Sequence, residues 1–241
     1  MQPRQALLRL LAERSFRLGE FRLSSGGTSD YYIDCRATTL HAEGARLTAR
    51  VVLDEFDRRG WAPDALGGLT LGADPIVVAA SMLSAQQAQS RTPAPGSQDS
   101  RWMIHGFLVR KAEKSHGTKR RIEGFCQAGA RVVIVDDVCT TGASTIEAIE
   151  SARQAGMNVI GVLCLVEREE AGGRPNVEKA AAGAPFAALF TARDIREEHL
   201  RLQKAGSAPA IQQAPAACEV CGRPAVTQLP RKLCETHKIS Q

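Results

Sequence analysis

The chain has 241 residues, 44% of them hydrophobic and 24% charged, and its formal net charge is +5. That apolar share is too high for a disordered chain, and no run reaches the roughly 18 apolar residues that a membrane span needs. From Arg201 onward six basic residues face two acidic ones, so this tail carries +4 of the net charge and leaves the rest near neutral. A near-neutral body gives no reason to expect nucleic-acid binding over its surface.

In chain order, Gln2–Arg14 mixes Leu with Arg and Glu and reads as a short amphipathic helix rather than a signal peptide. Phe21–Cys35 is rich in Ser, Gly and Tyr and reads as strands and turns. Ala42–Arg59 is a helix with Leu47, Val51, Val52 and Phe56 near helical spacing. Ala65–Leu69 is a short strand. Asp74–Ala85 is a helix that Asp74 can cap, with Pro75 suited to its first position. Gln86–Arg101 is polar, holds Pro93, Pro95 and Gly96, and reads as a surface insertion.

Trp102–Val109 is expected to be a strand, Arg110–Gly124 a charged loop and Arg131–Val135 a buried β-branched strand. Ser144–Ala155 is a helix, with Ser144 and Glu147 in capping-box spacing. Val159–Val166 is a strand, and Val177–Ala182, Phe186–Thr191 and Ala192–Lys204 continue as helix, strand, helix. Strands that alternate with helices imply an α/β fold with a parallel sheet flanked by helices. Ligands of such sheets bind beyond the carboxyl ends of the strands. The loops after Leu69, Val109, Val135 and Val166 should therefore converge. The cysteines number seven; Cys35, Cys126, Cys139 and Cys164 are scattered without framework spacing, which points to a reduced, cytoplasmic protein.

The most informative stretch runs from Val132 to Thr145. A buried strand delivers Asp136 and Asp137, a turn of small and hydroxyl residues follows, and a helix begins. Small residues let backbone N–H groups approach a phosphate, and a helix N-terminus adds a favourable dipole. Thr140, Thr141, Ser144 and Thr145 add hydroxyls. Two carboxylates beside an anion site suit the hydroxyls of a ribose and the positive charge that develops at its C1. A Gly-containing turn after a strand is on its own an ordinary connection; the acid pair and the hydroxyl-rich turn together are not. The Walker pattern is absent from this turn, which argues against an NTPase.

This stretch resembles the phosphoribosyl-diphosphate signature of type I phosphoribosyltransferases. Three other segments are similar to the orotate branch of that family. Phe21–Asp34 resembles its N-terminal hood, Gly68–Ile76 its diphosphate turn, and Arg110–Thr118 with Ile122–Gly124 its mobile catalytic loop. The resemblance implies a type I phosphoribosyltransferase-like fold with an N-terminal hood. It also implies transfer of a phosphoribosyl group from 5-phosphoribosyl 1-diphosphate to orotate, with Mg²⁺ bound through the substrate. Lys111, Lys114, His116, Asp136 and Asp137 are then catalytic. The substrate is held by Arg110, Lys111, Lys114, His116, Asp136, Asp137, Val138, Cys139, Thr140, Thr141, Gly142, Ala143 and Ser144. Orotate meets Thr140 and Arg168, and Lys111 or its neighbours reach into a partner subunit of a homodimer. The residue types agree with these roles. Diphosphate leaving C1 gathers negative charge that Arg110, Lys111 and Lys114 can stabilise. His116 can donate a proton near neutrality, and a guanidinium such as Arg168 binds a carboxylate bidentately. A surface ion pair with Glu169 or Glu170 is the plain alternative for Arg168. The sequence departs from the family at Ser24, and at Leu71-Gly72-Ala73, where some members carry a cation. A transferase for another base, and a non-enzymatic regulator that kept the fold, are the competing readings.

Beyond the transferase domain, 1–204 with its hood at about 1–40, residues 205–217 read as an Ala/Gln/Pro-rich linker. Residues 218–241 hold Cys218-x₂-Cys221 and Cys234-x₂-His237, the spacing of a closed structural Zn²⁺ site. The family resemblance does not extend to this module.

Overall fold

The structure, a computed structural model, describes residues 2–22, 28–90, 103–111 and 121–206. Ser24, Lys114, His116, Cys218, Cys221, Cys234 and His237 lie outside the described residues, as do most of the 86–101 insertion and the 207–217 part of the linker. The chain divides into two compact units, Met1–His199 and Leu200–Gln241. Of the second, the described residues are the end of the last helix.

The chain opens with helix α1 (Pro3–Leu10), which runs into a π-helical turn at Leu11–Ser15. Strands β1 (Phe16–Arg22) and β2 (Thr28–Ile33) pair antiparallel as a two-stranded sheet. After the short α2 (Arg36–Thr39) comes α3 (Ala42–Arg59), with Glu43 in its first turn and Arg58 and Arg59 in its last, charges that suit the helix dipole. The remaining elements are β3 (Ala65–Leu69), α4 (Asp74–Ser90), β4 (His105–Val109), β5 (Ile122–Gly124), β6 (Arg131–Cys139), α5 (Ala143–Gln154), β7 (Asn158–Glu167), α6 (Gly173–Ala181), β8 (Phe186–Thr191) and α7 (Ala192–Gly206).

These strands build one sheet in the order β5-β4-β3-β6-β7-β8, parallel except for β5, which pairs antiparallel with β4 at the edge. Val132, Val133 and Ile134 of β6 are fully buried and Val135 nearly so, as a strand covered on both faces requires. Alternation along the strands sends Val132, Ile134 and Val162 into one core with Ala148 and Ile149 of α5 and Val177 of α6. The opposite face carries α4, whose Val77 packs at Gly106 of β4. The chain leaves β3 for β4 on one side and returns to β6 on the other, so the strand order reverses between β3 and β6. A crevice opens at that switch point, beyond the carboxyl ends of the two strands.

Several boundaries differ from the sequence expectation, each for a tertiary reason. β6 runs four residues past Val135, because β7 supplies hydrogen-bond partners as far as Cys139 opposite Glu167. Ile122–Gly124 forms a strand because β4 offers it an edge. The capping box of α5 does not form. Ser144 lies inside the helix, Gly142 takes the cap position at φ 82°, and Glu147 pairs with Arg121. At α4 the carbonyl of Ala73 accepts the first helical bond, from Val77 at 2.9 Å, which puts Asp74 inside the helix. The Asp74 Oδ1 is buried without a hydrogen-bond partner among the described residues. No described helix is long and apolar enough to cross a membrane.

Candidate active site

The ladder between β3 and β6 ends at Gly67 and Ile134, and β6 continues alone on that side. Asp136 and Asp137 therefore face the crevice from within a strand that β7 still holds straight. Alternation points the two carboxylates to opposite faces. Asp136, 5% exposed, accepts from the Thr145 hydroxyl of α5 at 2.6 Å and from the Asp137 amide at 3.0 Å. Asp137 Oδ1 accepts from the Val138 amide at 2.9 Å and lies against the turn between β3 and α4. A Cβ at Gly72 of that turn would stand 2.3 Å from this oxygen, so only glycine fits there. Burial pushes both carboxyls up, Asp136 to about 7 despite the Thr145 hydrogen bond, and the neighbouring negative charge of Asp137 adds to the rise in Asp136.

Next in the chain, the turn Thr140–Gly142 leads into α5. Gly142 takes its left-handed conformation beneath Val177, and a Cβ at Gly173 of α6 would come within 2.0 Å of the Thr140 carbonyl oxygen. The loop is thus clamped by the start of α6, with the first N–H groups of α5 pointing out of the helix end. Thr140 and Ser144 line the crevice, whereas Cys139 is buried in the core beside Cys164.

Arg168 follows β7 and is tied to the same loop, its amide donating to the Cys139 carbonyl at 2.9 Å. The residue is 9% exposed, and its guanidinium stacks over the Tyr31 ring at 4.5 Å. Nε donates to the Tyr31 hydroxyl and to Glu170 Oε1, both at 3.0 Å, and Nη2 donates to Ser29 at 3.1 Å. The ion pair with Glu170 that competed as a reading exists, but at a buried guanidinium on the crevice wall. Burial and then the hydrogen bond to Glu170 push the Tyr31 hydroxyl up to about 12, so it stays a neutral donor. Ser29 and Tyr31 were not singled out from sequence, since β2 showed only as a Ser/Gly/Tyr-rich stretch.

The four loops named from sequence do converge. Leu69–Gly72, Lys111, Asp136, Asp137, Val138, Thr140, Ser144 and Arg168 line one cavity of about 480 Å³, together with Tyr32, Ile33, Asp34 and Arg36 from the β2–α2 segment. Arg110 is not in this lining; its guanidinium faces Glu123 of β5 at 3.6 Å. Thr141 and Ala143 are exposed and also outside the lining, and Gly142 is buried. Arg36 was missed, although its spacing from Asp34, one residue between acid and base straight after Tyr-Tyr-Ile, was visible.

Comparison with known proteins bears on this geometry. The phosphoribosyl transferase domain family matches residues 110–181, the span from Arg110 through the acid pair to α6. An orotate phosphoribosyltransferase of Aquifex aeolicus is 40% identical over 201 residues, covering 81% of this chain and 98% of that one. The chain belongs to the orotate phosphoribosyltransferase family. Another member, from Synechocystis, is 42% identical over 197 residues, covering 81% of this chain and 90% of its own. Among solved structures, Mycobacterium tuberculosis orotate phosphoribosyltransferase in complex with 5-phospho-alpha-D-ribosyl 1-diphosphate is similar with a TM-score of 0.59 and 30% identity, covering 80% of this chain and 99% of that one. The same enzyme with Fe(III) dicitrate gives a TM-score of 0.63 at 33% identity, covering 80% of this chain and 98% of that one. The parallel sheet flanked by helices is the type I phosphoribosyltransferase architecture. Family membership makes the chain an enzyme of pyrimidine biosynthesis.

Proposed function

We propose that the 480 Å³ cavity binds 5-phosphoribosyl 1-diphosphate and orotate side by side and joins them as orotidine 5′-phosphate, releasing diphosphate. In this reading the 5-phosphate sits on Thr140–Ser144, where a helix N-terminus and small residues suit an anion. The ribose hydroxyls meet Asp136 and Asp137, and the diphosphate lies along Leu69–Gly72. Orotate rests between the loop and Arg168, its carboxylate on the guanidinium. The observation that carries the reading is the placing of the acid pair, the hydroxyl turn and a buried, pre-oriented arginine on one cavity.

The reaction needs no covalent enzyme intermediate. The C1–O bond to diphosphate loosens, N1 of orotate attacks the opposite face, and positive charge develops on the ribose. Asp136 and Asp137 lie where that charge would appear. Lys111 lines the cavity, and Lys114 and His116 follow it in sequence; they would neutralise and protonate the leaving group. Arg110 points toward Glu123, and we assign it with the loop to an exchange across a homodimer. Val78 and Met82 stand 63% and 58% exposed on α4, an apolar area such a partner could cover.

Mg²⁺ is the cofactor we assign. Among the described residues no group of three or more His, Cys, Asp or Glu side chains could hold a metal. An ion there would be carried by substrate oxygens and water, and Asp137 would be a carboxylate available to it. Bound there, the ion would neutralise diphosphate charge. Cys218, Cys221, Cys234 and His237 are assigned to a structural Zn²⁺ on spacing alone, as residues 218–241 of a separate small module. A reducing cytoplasm suits the free thiols of Cys35, Cys139 and Cys164.

The test is to mix the protein with orotate, Mg²⁺ and 5-phosphoribosyl 1-diphosphate and follow the loss of orotate absorbance. Turnover that requires all three, is lost in Lys114→Ala and shows a raised orotate KM in Arg168→Ala is expected. Turnover whose orotate KM ignores Arg168→Ala would refute the placing of the base.

A further inference from the structure

We propose that Arg36 is a diphosphate-binding residue, presented by Asp34 and supplying the cation that the turn Leu69–Ala73 lacks. The inference rests on the reading of the cavity given above. Along that turn the sequence is Leu-Thr-Leu-Gly-Ala, without a basic side chain. The cations that line the cavity among the described residues are Arg36, Lys111 and Arg168. Arg168 is committed to Ser29, Tyr31 and Glu170 at the base end. Arg36 and Lys111 remain for a leaving group that carries several negative charges.

The Arg36 geometry is that of a presented donor. Nε donates to Asp34 Oδ1 at 2.9 Å and Nη2 to Asp34 Oδ2 at 3.0 Å, a fork-to-carboxylate pair that fixes the guanidinium plane. The Arg36 amide also donates to Asp34 Oδ1 at 3.0 Å, anchoring the carboxylate to the start of α2. Nη1 has no hydrogen bond among the described residues, so this nitrogen is left to meet a ligand oxygen. The Asp34 and Arg36 side chains are 31% and 45% exposed, and an ion pair so exposed contributes little to stability. The Arg36 charge also draws the Asp137 carboxyl down against burial, and Arg36, Asp137, Leu71 and Gly72 line the same cavity.

Isothermal titration of Mg²⁺-diphosphate, with KM for each substrate, tests this in the wild type, Arg36→Ala, Arg36→Lys and Arg36→Ala/Leu71→Lys. Leu71 is 67% exposed and lines the same cavity, so a lysine there can return a cation to the turn. Arg36→Ala is expected to weaken diphosphate binding and raise the 5-phosphoribosyl 1-diphosphate KM by about tenfold to about a hundredfold, the size of one charged hydrogen bond. The orotate KM and the thermal midpoint should hold. Arg36→Lys keeps the charge without the fork and should fall between, and the double variant should regain part of the loss. Diphosphate binding unchanged in Arg36→Ala, with wild-type turnover intact, would overturn the inference alone. Wild-type protein that binds no diphosphate would overturn the cavity reading and the inference with it.

Discussion

Asp136→Asn should stabilise the fold above neutral pH while abolishing turnover. Asp136 is 5% exposed, and burial raises its carboxyl from 3.8 to about 7. The folded chain therefore keeps a proton that the unfolded chain releases between those two values. Stability is lost as pH rises through that window, and the whole penalty stands above it. A tenfold change in proton affinity is about 1.4 kcal/mol, so the penalty approaches about 4 kcal/mol. Asparagine keeps the shape: its carbonyl can accept from the Asp137 amide, and its NH₂ can donate to the Thr145 hydroxyl. Thermal unfolding without metal or substrate at pH 8 should show Asp136→Asn melting about 10 °C above the wild type. At pH 5 less than half the gain should remain, because there the wild-type carboxyl is protonated when folded. A variant that melts at or below the wild type at pH 8 would refute the account of a desolvated acid.

Gly72→Ala would place a methyl 2.3 Å from Asp137 Oδ1 and should lower kcat/KM at least about tenfold with little change in the melting point, as read by steady-state kinetics and calorimetry. Gly173→Ala, whose Cβ would stand 2.0 Å from the Thr140 carbonyl oxygen, should displace the phosphate loop and raise the 5-phosphoribosyl 1-diphosphate KM. Tyr31→Phe removes one partner of Arg168 and Glu170→Gln the charge of another, and each should raise the orotate KM about tenfold while sparing the other substrate; equal effects on both would point to general disorder instead. Elemental analysis should find one zinc per chain, lost in Cys218→Ser, with orotate turnover retained.

Legibility followed the reach of each interaction. Ala42–Arg59, Ala65–Leu69 and Phe186–Thr191 match the structure end to end, because helical spacing, dipole-matched charges and short apolar runs are local signals. The end of β6 was missed because Asp136 and Asp137 look like the end of a strand. Their hydrogen bonds come from β7, more than 20 residues away in sequence. Ser144 and Glu147 had capping-box spacing, yet packing of Gly142 under Val177 set the helix start. The setting of Arg168 could not be read either, since Ser29 and Tyr31 lie 139 and 137 residues from it in sequence. The acid pair, the hydroxyl turn and Arg168 were legible because their residue types are unusual where they stand. Arg36 escaped because Asp-x-Arg is an ordinary surface spacing until the fold turns it into a cavity.

A buried acid pair at a strand end is a local error by the rules of folding, and such errors concentrate where function needs them. Here the neighbours hold the error in place rather than relieve it. Thr145 and the Asp137 amide fix Asp136, and the Val138 amide fixes Asp137. Neither carboxylate has a cation bonded to it among the described residues; the carboxylates that Arg36 and Arg168 bond are Asp34 and Glu170. A salt bridge to either acid would remove the penalty and also fill the space that our proposal gives to the ribose. The site thus leaves both carboxyls without a bonded cation, and positive charge developing beside them favours their ionised form. That makes the acids stronger partners for the cationic transition state than for a neutral sugar, the difference on which catalysis depends.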